Sequence, residues 1–181
     1  MTIAKTIPII DKPLFATDYH VYINYTDAGG IVYHANHLVF FENARRDWFT
    51  QIGINGYFLQ TDDGQVQHFV VSQAELKYRK AIFLDEIISA RIDKVELKPA
   101  SIIFYQSLHR QTTTSADSTA SDTLLSSGKI VIACVQNQVN PEPTTSAAPS
   151  IRAIRVPKNL QTLIQAAVSQ HADESSNQPS P

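Results

Sequence analysis

Residues 24–45 read NYTDAGGIVYHANHLVFFENAR, and this stretch decides the fold. Its first part is polar and places two glycines, Gly29 and Gly30, shortly after Asp27. Glycine permits backbone angles and close approaches that a side chain forbids. We therefore expect a loop that presents the Asp27 carboxylate to a ligand. The second part carries apolar residues at three- and four-residue spacing, which is typical of one face of a helix.

The predicted helix runs from about Ala35 to Ile52, and Gly53 is a suitable residue to end it. Its apolar stripe, which we interpret as core, consists of Leu38, Phe41, Ala44, Trp48 and Ile52. The first N–H groups of a helix lack helical partners, so the turn from Tyr33 to Asn36 is suited to hold a developing negative oxygen. A carboxylate beside such a turn meets the needs of acyl-group hydrolysis, because one group activates water or attacks while the other stabilises the tetrahedral oxygen.

This motif resembles the signature of a known enzyme family. Residues 25–38, followed by 41–45, are similar to the 4-hydroxybenzoyl-CoA thioesterase family, and most of all to its Tol-Pal-associated (YbgC-type) acyl-CoA thioesterase branch. Fixed spacing over many residue types makes the match more specific than a glycine-rich string. The resemblance covers roughly residues 18–157. It implies an α+β hotdog fold, in which an antiparallel sheet of about five strands wraps around one long helix.

The resemblance also implies roles for residues of this chain. Asp27 is expected to act as general base or as nucleophile, two roles that the sequence does not separate. The backbone N–H of His34 is expected to stabilise the oxyanion. The expected substrate contacts are Gly29, Gly30, Tyr33 and Asn36. The implied reaction is hydrolysis of an acyl-CoA, or of an acyl group on acyl carrier protein, without a metal or redox cofactor.

The same residues have simpler interpretations. An Asp before a helix commonly serves as its cap, and an isolated His is more often structural than catalytic. Glu42 lies two turns after His34, and another branch of hotdog thioesterases uses a helix carboxylate as base. The surrounding residues resemble the Asp branch, so we interpret Glu42 as structural and paired with Arg45 or Arg46.

Four positions depart from the family pattern. Relatives commonly have acidic residues at Asn24 and Tyr25, often a tyrosine at Ile23, and a proline at Ala81. We expect these differences to affect substrate preference and turn rigidity, not the reaction, because Asp27 keeps its place.

Two rival protein classes share the fold. A non-catalytic acyl-CoA-binding hotdog module does not need an acid at position 27, so Asp27 argues against it. A hotdog hydratase or dehydratase uses a His with an acidic partner in a different motif. Thiol release measured beside enoyl-CoA hydration separates all three classes.

Composition sets wider limits. With 181 residues, 43% hydrophobic content and a net charge of −2, the chain is sized for one globular domain and has no basic excess for nucleic acid. The first residues contain no continuous apolar segment, so we expect a cytoplasmic protein without a membrane span. Cys134 lies in the apolar run 130–135 and is expected to be a buried structural thiol. The histidines show no metal-ligand spacing.

Alternation of apolar residues predicts strands at 17–25, 67–78 and 87–97, another beginning near residue 102, and a last one at 128–139. A break in the pattern near Val95 predicts a β-bulge, and Pro99–Ala100 predicts a turn. One face of the fourth strand should carry Ile102, Phe104, Gln106 and Leu108.

The predicted organisation is a short N-terminal segment (1–16) and the hotdog domain (17–140), followed by a linker (141–156), a helix (157–170) and a disordered tail (171–181). The helix should present an apolar stripe of Leu160, Leu163, Ile164, Ala167 and Val168. Within the domain, eight of the twelve residues in 112–123 are Ser or Thr, so we expect a flexible hairpin extension.

Assembly follows from the expected sheet. An open sheet has an unpaired edge, which proteins pair or cover, and the resembling families join two sheets edge to edge. We therefore expect a homodimer or homotetramer, with Asp27 near the subunit boundary and 130–139 contributing buried sheet.

Overall fold

The computed structural model describes residues 12–54, 58–60, 66–112, 121–137 and 151–176. In chain order the elements are β1 (Phe15–His20), a 3-10 turn (Ile23–Tyr25), α1 (Asn36–Gln51), β2 (Phe58–Gln60), β3 (Val66–Tyr78), β4 (Ile87–Leu97), β5 (Ser101–Thr112), β6 (Ser121–Asn137), β7 (Ile151–Ala153) and α2 (Lys158–Ser176). Most of the N-terminal segment that the sequence predicts lies outside the described residues, and its last two residues begin β1.

The strands form one antiparallel sheet in the order β1-β4-β5-β6-β3-β2. β7 pairs with the end of β6, beyond the point where β5 begins. Among the described residues there are five long strands, as the sequence predicts, and two strands of three residues each. Helix α1 packs against β1, β4 and β5. The predicted architecture, an antiparallel sheet with one long helix, is confirmed.

The predicted bounds of α1 are correct to within one residue at each end. Its side chains that turn into the protein are His37, Phe40, Phe41, Ala44, Arg45 and Trp48. The buried stripe is therefore wider than predicted and includes two polar residues, while Leu38 and Ile52 are only partly buried. Gly53 has φ +84° and ends the helix as expected. The opposing sheet face confirms the predicted alternation, because Ile102, Phe104, Gln106 and Leu108 are all 0% exposed.

The first predicted strand is wrong at its end. β1 stops at His20, and the chain then turns so that Val21 is fully buried and bonded to the loop before β4. The Val21 N–H donates to the Glu86 carbonyl oxygen, and the Asp85 N–H donates to the Val21 carbonyl oxygen, both at 2.9 Å. This pairing interrupts the strand and leads into the 3-10 turn before Asp27.

The predicted β-bulge is present, two residues earlier than expected. The pairing of β4 with β5 shifts between Ile92 and Lys94, which leaves Asp93 as the extra residue. The predicted turn at Pro99–Ala100 joins these strands, and the Lys98 N–H donates to the Ser101 carbonyl oxygen at 2.9 Å.

The expectation of a flexible extension over 112–123 is wrong at both ends. Thr112 pairs with Ser121 across the hairpin of β5 and β6. Asp122 accepts hydrogen bonds from both terminal nitrogens of Arg91, at 2.6 and 3.0 Å, and lies 3.0 Å from Nδ1 of His109. Strand pairing and this ion pair order residues whose composition alone suggests a loop. Residues 113–120 lie outside the described residues.

The C-terminal boundaries also differ from the prediction. Ile151–Ala153 form β7, so the linker expected at 141–156 ends earlier, and 141–150 lie outside the described residues. α2 continues to Ser176, so the prediction of a disordered tail from residue 171 is wrong for residues 171–176. Residues 177–181 lie outside the described residues. Leu160 and Ile164 are buried in the common core, while Leu163 is exposed. Neither helix of the described part is long and apolar enough to cross a membrane.

Cys134 is buried on β6, as predicted. Burial raises the pKa of its thiol to about 11, so the thiol is protonated at neutral pH. A structural role for Cys134 accords with both observations.

Candidate active site

Asp27 lies in a tight loop whose shape depends on the residues that follow it. The Gly30 N–H donates to the Asp27 carbonyl oxygen at 3.0 Å, and the Asp27 N–H donates to the Ile31 carbonyl oxygen at 2.9 Å. Gly30 has φ +74°, a conformation that L side chains rarely adopt. Glycine at this position therefore allows the loop to close behind Asp27.

The Asp27 carboxylate is exposed and only partly engaged by the protein. Its Oδ1 accepts a hydrogen bond from the Gly29 N–H at 2.8 Å. A Cβ at position 29 would lie 3.1 Å from this oxygen, so glycine at this position leaves room for the Asp27 carboxylate. Across the described ranges of the chain, no donor meets the other oxygen, Oδ2. The loop thus holds the carboxylate and leaves one oxygen for water or a substrate.

Hydrogen bonds to Tyr25 hold the turn that precedes α1. The Tyr33 N–H donates to the Tyr25 carbonyl oxygen at 2.9 Å, and the side-chain amide of Asn36 donates to the same oxygen at 2.7 Å. The Asn36 N–H in turn donates to the Tyr33 carbonyl oxygen at 2.8 Å. Because these bonds use its amide donors, Asn36 shapes the turn that contains His34.

Like the Ala35 N–H, the His34 N–H is a free donor of this turn among the described residues. In the described part of the chain it has no backbone or side-chain acceptor. It lies two residues before the first residue of α1, where unpaired N–H groups and the helix dipole favour negative charge. The His34 ring is exposed and packs on the Tyr33 ring, with 4.2 Å between centroids.

A cleft of about 450 Å³ brings Asp27 and His34 together. His37 and Tyr78 lie on its wall, which also includes residues 31–32 and 79–82. The other predicted substrate contacts do not line the cleft: Gly29 and Gly30 lie in the Asp27 loop, and Tyr33 and Asn36 lie in the turn before α1. The structure therefore unites the two predicted catalytic residues and places the other four in the frame that holds them.

Sequence reasoning missed three residues of this region. The Tyr78 hydroxyl donates to the His34 carbonyl oxygen at 3.1 Å. The His37 ring meets the Tyr78 ring edge-on, with 5.0 Å between centroids, and its Nδ1 lies 2.9 Å from Oγ of Ser126. His37 lies inside the motif at 25–38, but no local pattern in the sequence indicates its contacts with Tyr78 and Ser126.

His37 is buried, and this burial determines its charge. Desolvation, with a smaller contribution from the nearby His34, lowers the pKa of His37 from 6.5 to about 4. At neutral pH it is therefore a neutral ring that shares a hydrogen bond with Ser126 and supports the wall of the cleft.

Glu42 makes one of the two ion pairs that the sequence predicts for it. Its carboxylate pairs with the Arg45 guanidinium one turn along α1. Arg45 is buried and also donates to Oε1 of Gln106 at 2.6 Å, and the Gln106 amide donates to the Phe41 carbonyl oxygen at 2.9 Å. These contacts join the helix to β5. A second cavity, of about 110 Å³, is lined by Glu42 and Arg45 but not by Asp27.

Within the described residues, no group of three or more His, Cys, Asp or Glu side chains is arranged to hold a metal ion.

Comparison with known proteins identifies the superfamily of this chain. Residues 21–163 match the model of the thioesterase-like superfamily, and the chain belongs to this superfamily. It is 34% identical to the acyl-CoA thioesterase YbgC of Haemophilus influenzae over 121 residues, which are 67% of this chain and 80% of that protein. It is 27% identical to the acyl-CoA thioester hydrolase YbgC of an Escherichia coli strain over 126 residues, 70% of this chain and 85% of that one.

Solved structures confirm the hotdog fold. The 4-hydroxybenzoyl-CoA thioesterase of a Pseudomonas strain superposes with a TM-score of 0.64 at 18% identity, covering 82% of this chain and 97% of that one. A protein of Aquifex aeolicus superposes with a TM-score of 0.62 at 21% identity, covering 82% of this chain and 98% of that one.

Proposed function

We propose that this protein is an acyl-CoA thioesterase that hydrolyses a thioester to a free acid and CoA. The observation that carries the proposal is the cleft in which an exposed carboxylate with one free oxygen lies with an unpaired N–H before a helix. These are the two groups that acyl hydrolysis requires. Membership of the thioesterase-like superfamily supports the same reaction.

In the proposed reaction Asp27 attacks the carbonyl carbon itself or removes a proton from water that does so. Negative charge then develops on the carbonyl oxygen, and the His34 N–H donates a hydrogen bond that stabilises it. Collapse of the tetrahedral intermediate breaks the carbon–sulfur bond and expels the CoA thiolate, which takes up the proton that Asp27 removed from water or, on the direct-attack route, a proton from solvent. On the direct-attack route the acyl group is left on Asp27 as an anhydride, and water then hydrolyses it to the free acid and the Asp27 carboxylate. An acyl group carried by acyl carrier protein presents the same thioester and is the alternative substrate.

The proposal includes a homodimer, alone or within a tetramer. β2 pairs only with residues 66–68 of β3, so in the described part of the chain residues 69–78 have a strand on one side alone. Residues 71–75 of this free edge are exposed. Long unpaired edges tend to pair with another chain, and two-fold symmetry is the commonest way to do so.

The position of this edge supports a site at the subunit boundary. Tyr78 is both the last residue of β3 and part of the wall of the Asp27 cleft. A second copy paired along β3 would therefore border the cleft.

The cytoplasmic location predicted from the sequence remains part of the proposal, and cell fractionation tests it.

Replacement of the carboxylate tests the reaction. Asp27→Asn keeps size and polarity but removes the base or nucleophile, so thioester hydrolysis should fall at least about 10²-fold. Thiol release from acyl-CoA substrates of several chain lengths, including aryl-CoA, measures the effect. Asp18→Asn, which changes an exposed acid on β1, is the matched control and should keep full activity. Near-native turnover in a folded Asp27→Asn protein would refute the assignment.

A further inference from the structure

Tyr78 connects the end of β3 to the turn that carries the proposed oxyanion donor. Its hydroxyl donates to the His34 carbonyl oxygen at 3.1 Å, across 44 residues of sequence. Phenylalanine would preserve the ring and remove only this bond. The contact is therefore separable from the packing of Tyr78, whose ring is half exposed on the cleft wall.

The ring of Tyr78 is itself held from behind. The buried His37 ring lies against it at an interplanar angle of 84°, an edge-to-face contact that aromatic rings favour. Ser126 on β6 shares a hydrogen bond with Nδ1 of His37 at 2.9 Å. Contacts from Ser126 on β6 through His37 on α1 thus hold the Tyr78 ring at the end of β3.

Two contacts, one of them from Tyr78, restrain the peptide groups on either side of the His34 Cα. On the C-terminal side, the Tyr78 hydroxyl holds the His34 carbonyl oxygen. On the N-terminal side, the Asn36 N–H holds the Tyr33 carbonyl oxygen at 2.8 Å. The His34 N–H belongs to the same planar peptide as the Tyr33 carbonyl, and the Tyr78 hydroxyl fixes the next peptide along the chain, so both sides of the His34 Cα are held. A donor fixed in advance stabilises developing charge without rearrangement during the reaction.

We propose that Tyr78 is a positioning residue for thioester hydrolysis, and that its hydroxyl holds the His34 turn so that the His34 N–H points at the developing oxyanion. This inference rests on the proposed function. His37 and Ser126 act through Tyr78, since they hold its ring in place. Tyr78 adds no reacting group, so its effect should fall on the transition state more than on substrate binding.

The test is Tyr78→Phe, assayed with acyl-CoA thioesters. Removing an oxyanion donor costs about 10² to 10³ in kcat. Loosening a donor that remains in place should cost less, about tenfold, with KM nearly unchanged. Tyr22→Phe is the matched control, because Tyr22 is also half exposed and its hydroxyl has no hydrogen-bond partner among the described residues. It should retain wild-type kcat.

Two inhibitors separate positioning from simple binding. A trifluoromethyl ketone analogue of acyl-CoA forms a tetrahedral adduct in which the ketone oxygen becomes an oxyanion. The thioether analogue instead resembles the bound substrate. Tyr78→Phe should weaken binding of the ketone about tenfold and leave the thioether unaffected. Equal loss for both inhibitors would show a binding contact and overturn the inference, as would unchanged kcat or a large fall in melting temperature.

His37→Asn provides a second variant. Asparagine keeps a polar atom near Ser126 but removes the ring that supports Tyr78, so kcat should again fall. The double variant His37→Asn/Tyr78→Phe should lose less than the product of the single losses, because both changes act through one contact. Independent losses would overturn the proposed support.

Failure of the proposed function gives a different result. In that case the wild-type protein releases no thiol from any thioester, or Asp27→Asn remains active, and the inference falls with it. If the wild type is active and depends on Asp27 while Tyr78→Phe equals it in kcat and ketone binding, only the inference fails.

Discussion

Gly30 shows how one backbone conformation supports the candidate site. Its φ of +74° costs a non-glycine residue about 1 to 2 kcal/mol. Gly53 at the end of α1 has a similar φ of +84° but lies away from the Asp27 loop. Neither position has an atom within 4 Å of an added Cβ, so a substitution tests conformation without a clash.

We therefore predict that Gly30→Ala and Gly53→Ala lower stability by similar amounts, on the order of 1 kcal/mol. Gly30→Ala should also reduce kcat several-fold, because the loop that holds Asp27 must shift. Gly53→Ala should leave kcat unchanged. Chemical denaturation and initial rates measure the two effects, and equal kcat in both variants would contradict the role of the loop.

Two buried groups make stability depend on pH in opposite directions. The pKa of His37 falls to about 4, so the folded state binds fewer protons than the unfolded state between pH 4 and 6.5, and stability is lost as the pH falls through this range. Burial raises the pKa of Asp93 to about 6, against opposing contributions from Ser107 and Arg91. Stability from Asp93 is therefore lost as the pH rises from 3.8 to 6.

These shifts predict how the two variants differ from the wild type. When the pH falls from 7 to 5, the wild type should lose about 2 kcal/mol of unfolding free energy because His37 is protonated more readily in the unfolded state. His37→Asn lacks this loss, so its unfolding free energy should rise relative to that of the wild type. The unfolding free energy of Asp93→Asn should fall relative to that of the wild type by about 1 kcal/mol over the same interval. Denaturant unfolding at both pH values measures this, and parallel behaviour of all three proteins would contradict the burial argument.

At the scale of elements, Asp122 ties the paired hairpin of β5 and β6 to β4. This residue pairs with Arg91 of β4 and contacts His109 of β5, and both partners are buried. A buried cation or imidazole that loses its partner costs free energy. Because the Asp122 side chain is 44% exposed, water offsets part of this cost.

We predict that Asp122→Ala lowers stability by about 1 to 2 kcal/mol. Replacing 113–120 with Asn-Gly should leave the melting temperature and kcat nearly unchanged, because Thr112 and Ser121 are already paired and a two-residue turn fits that register. A large loss on replacement, or none for Asp122→Ala, would reverse our assignment of which residues order the hairpin.

At the scale of the whole molecule, the free edge of β3 is the main uncovered feature of the described sheet. We predict a dimeric or larger mass by light scattering at low micromolar concentration. Val71→Lys, which charges the exposed edge, should shift the mass toward the monomer and lower activity together. Ile87→Lys is the control, because Ile87 is also exposed but β4 is paired on both sides. A fully active monomer would refute both the dimer and the shared site.

The sequence by itself determined the local parts of this protein. The Asp27 loop, helix α1, its end at Gly53 and the alternation along β5 were all predictable. Their causes are the conformational freedom of glycine and the periodicity of helix and strand, which act over a few residues. The bulge was predicted two residues late because alternation shows that a register breaks, whereas pairing with β5 decides where.

Only the tertiary structure decided which residues meet at the cleft. His37 and Ser126 are 89 residues apart in sequence, and Tyr78 and His34 are 44 apart. Their contacts depend on the pairing of β3 with β6 and on how α1 packs against the sheet, which no local pattern records. The same reason explains Asp122, whose Ser- and Thr-rich neighbours indicate a loop but whose bond to Arg91 holds it in a strand. Local sterics set the elements, whereas long-range pairing sets the distances between their side chains.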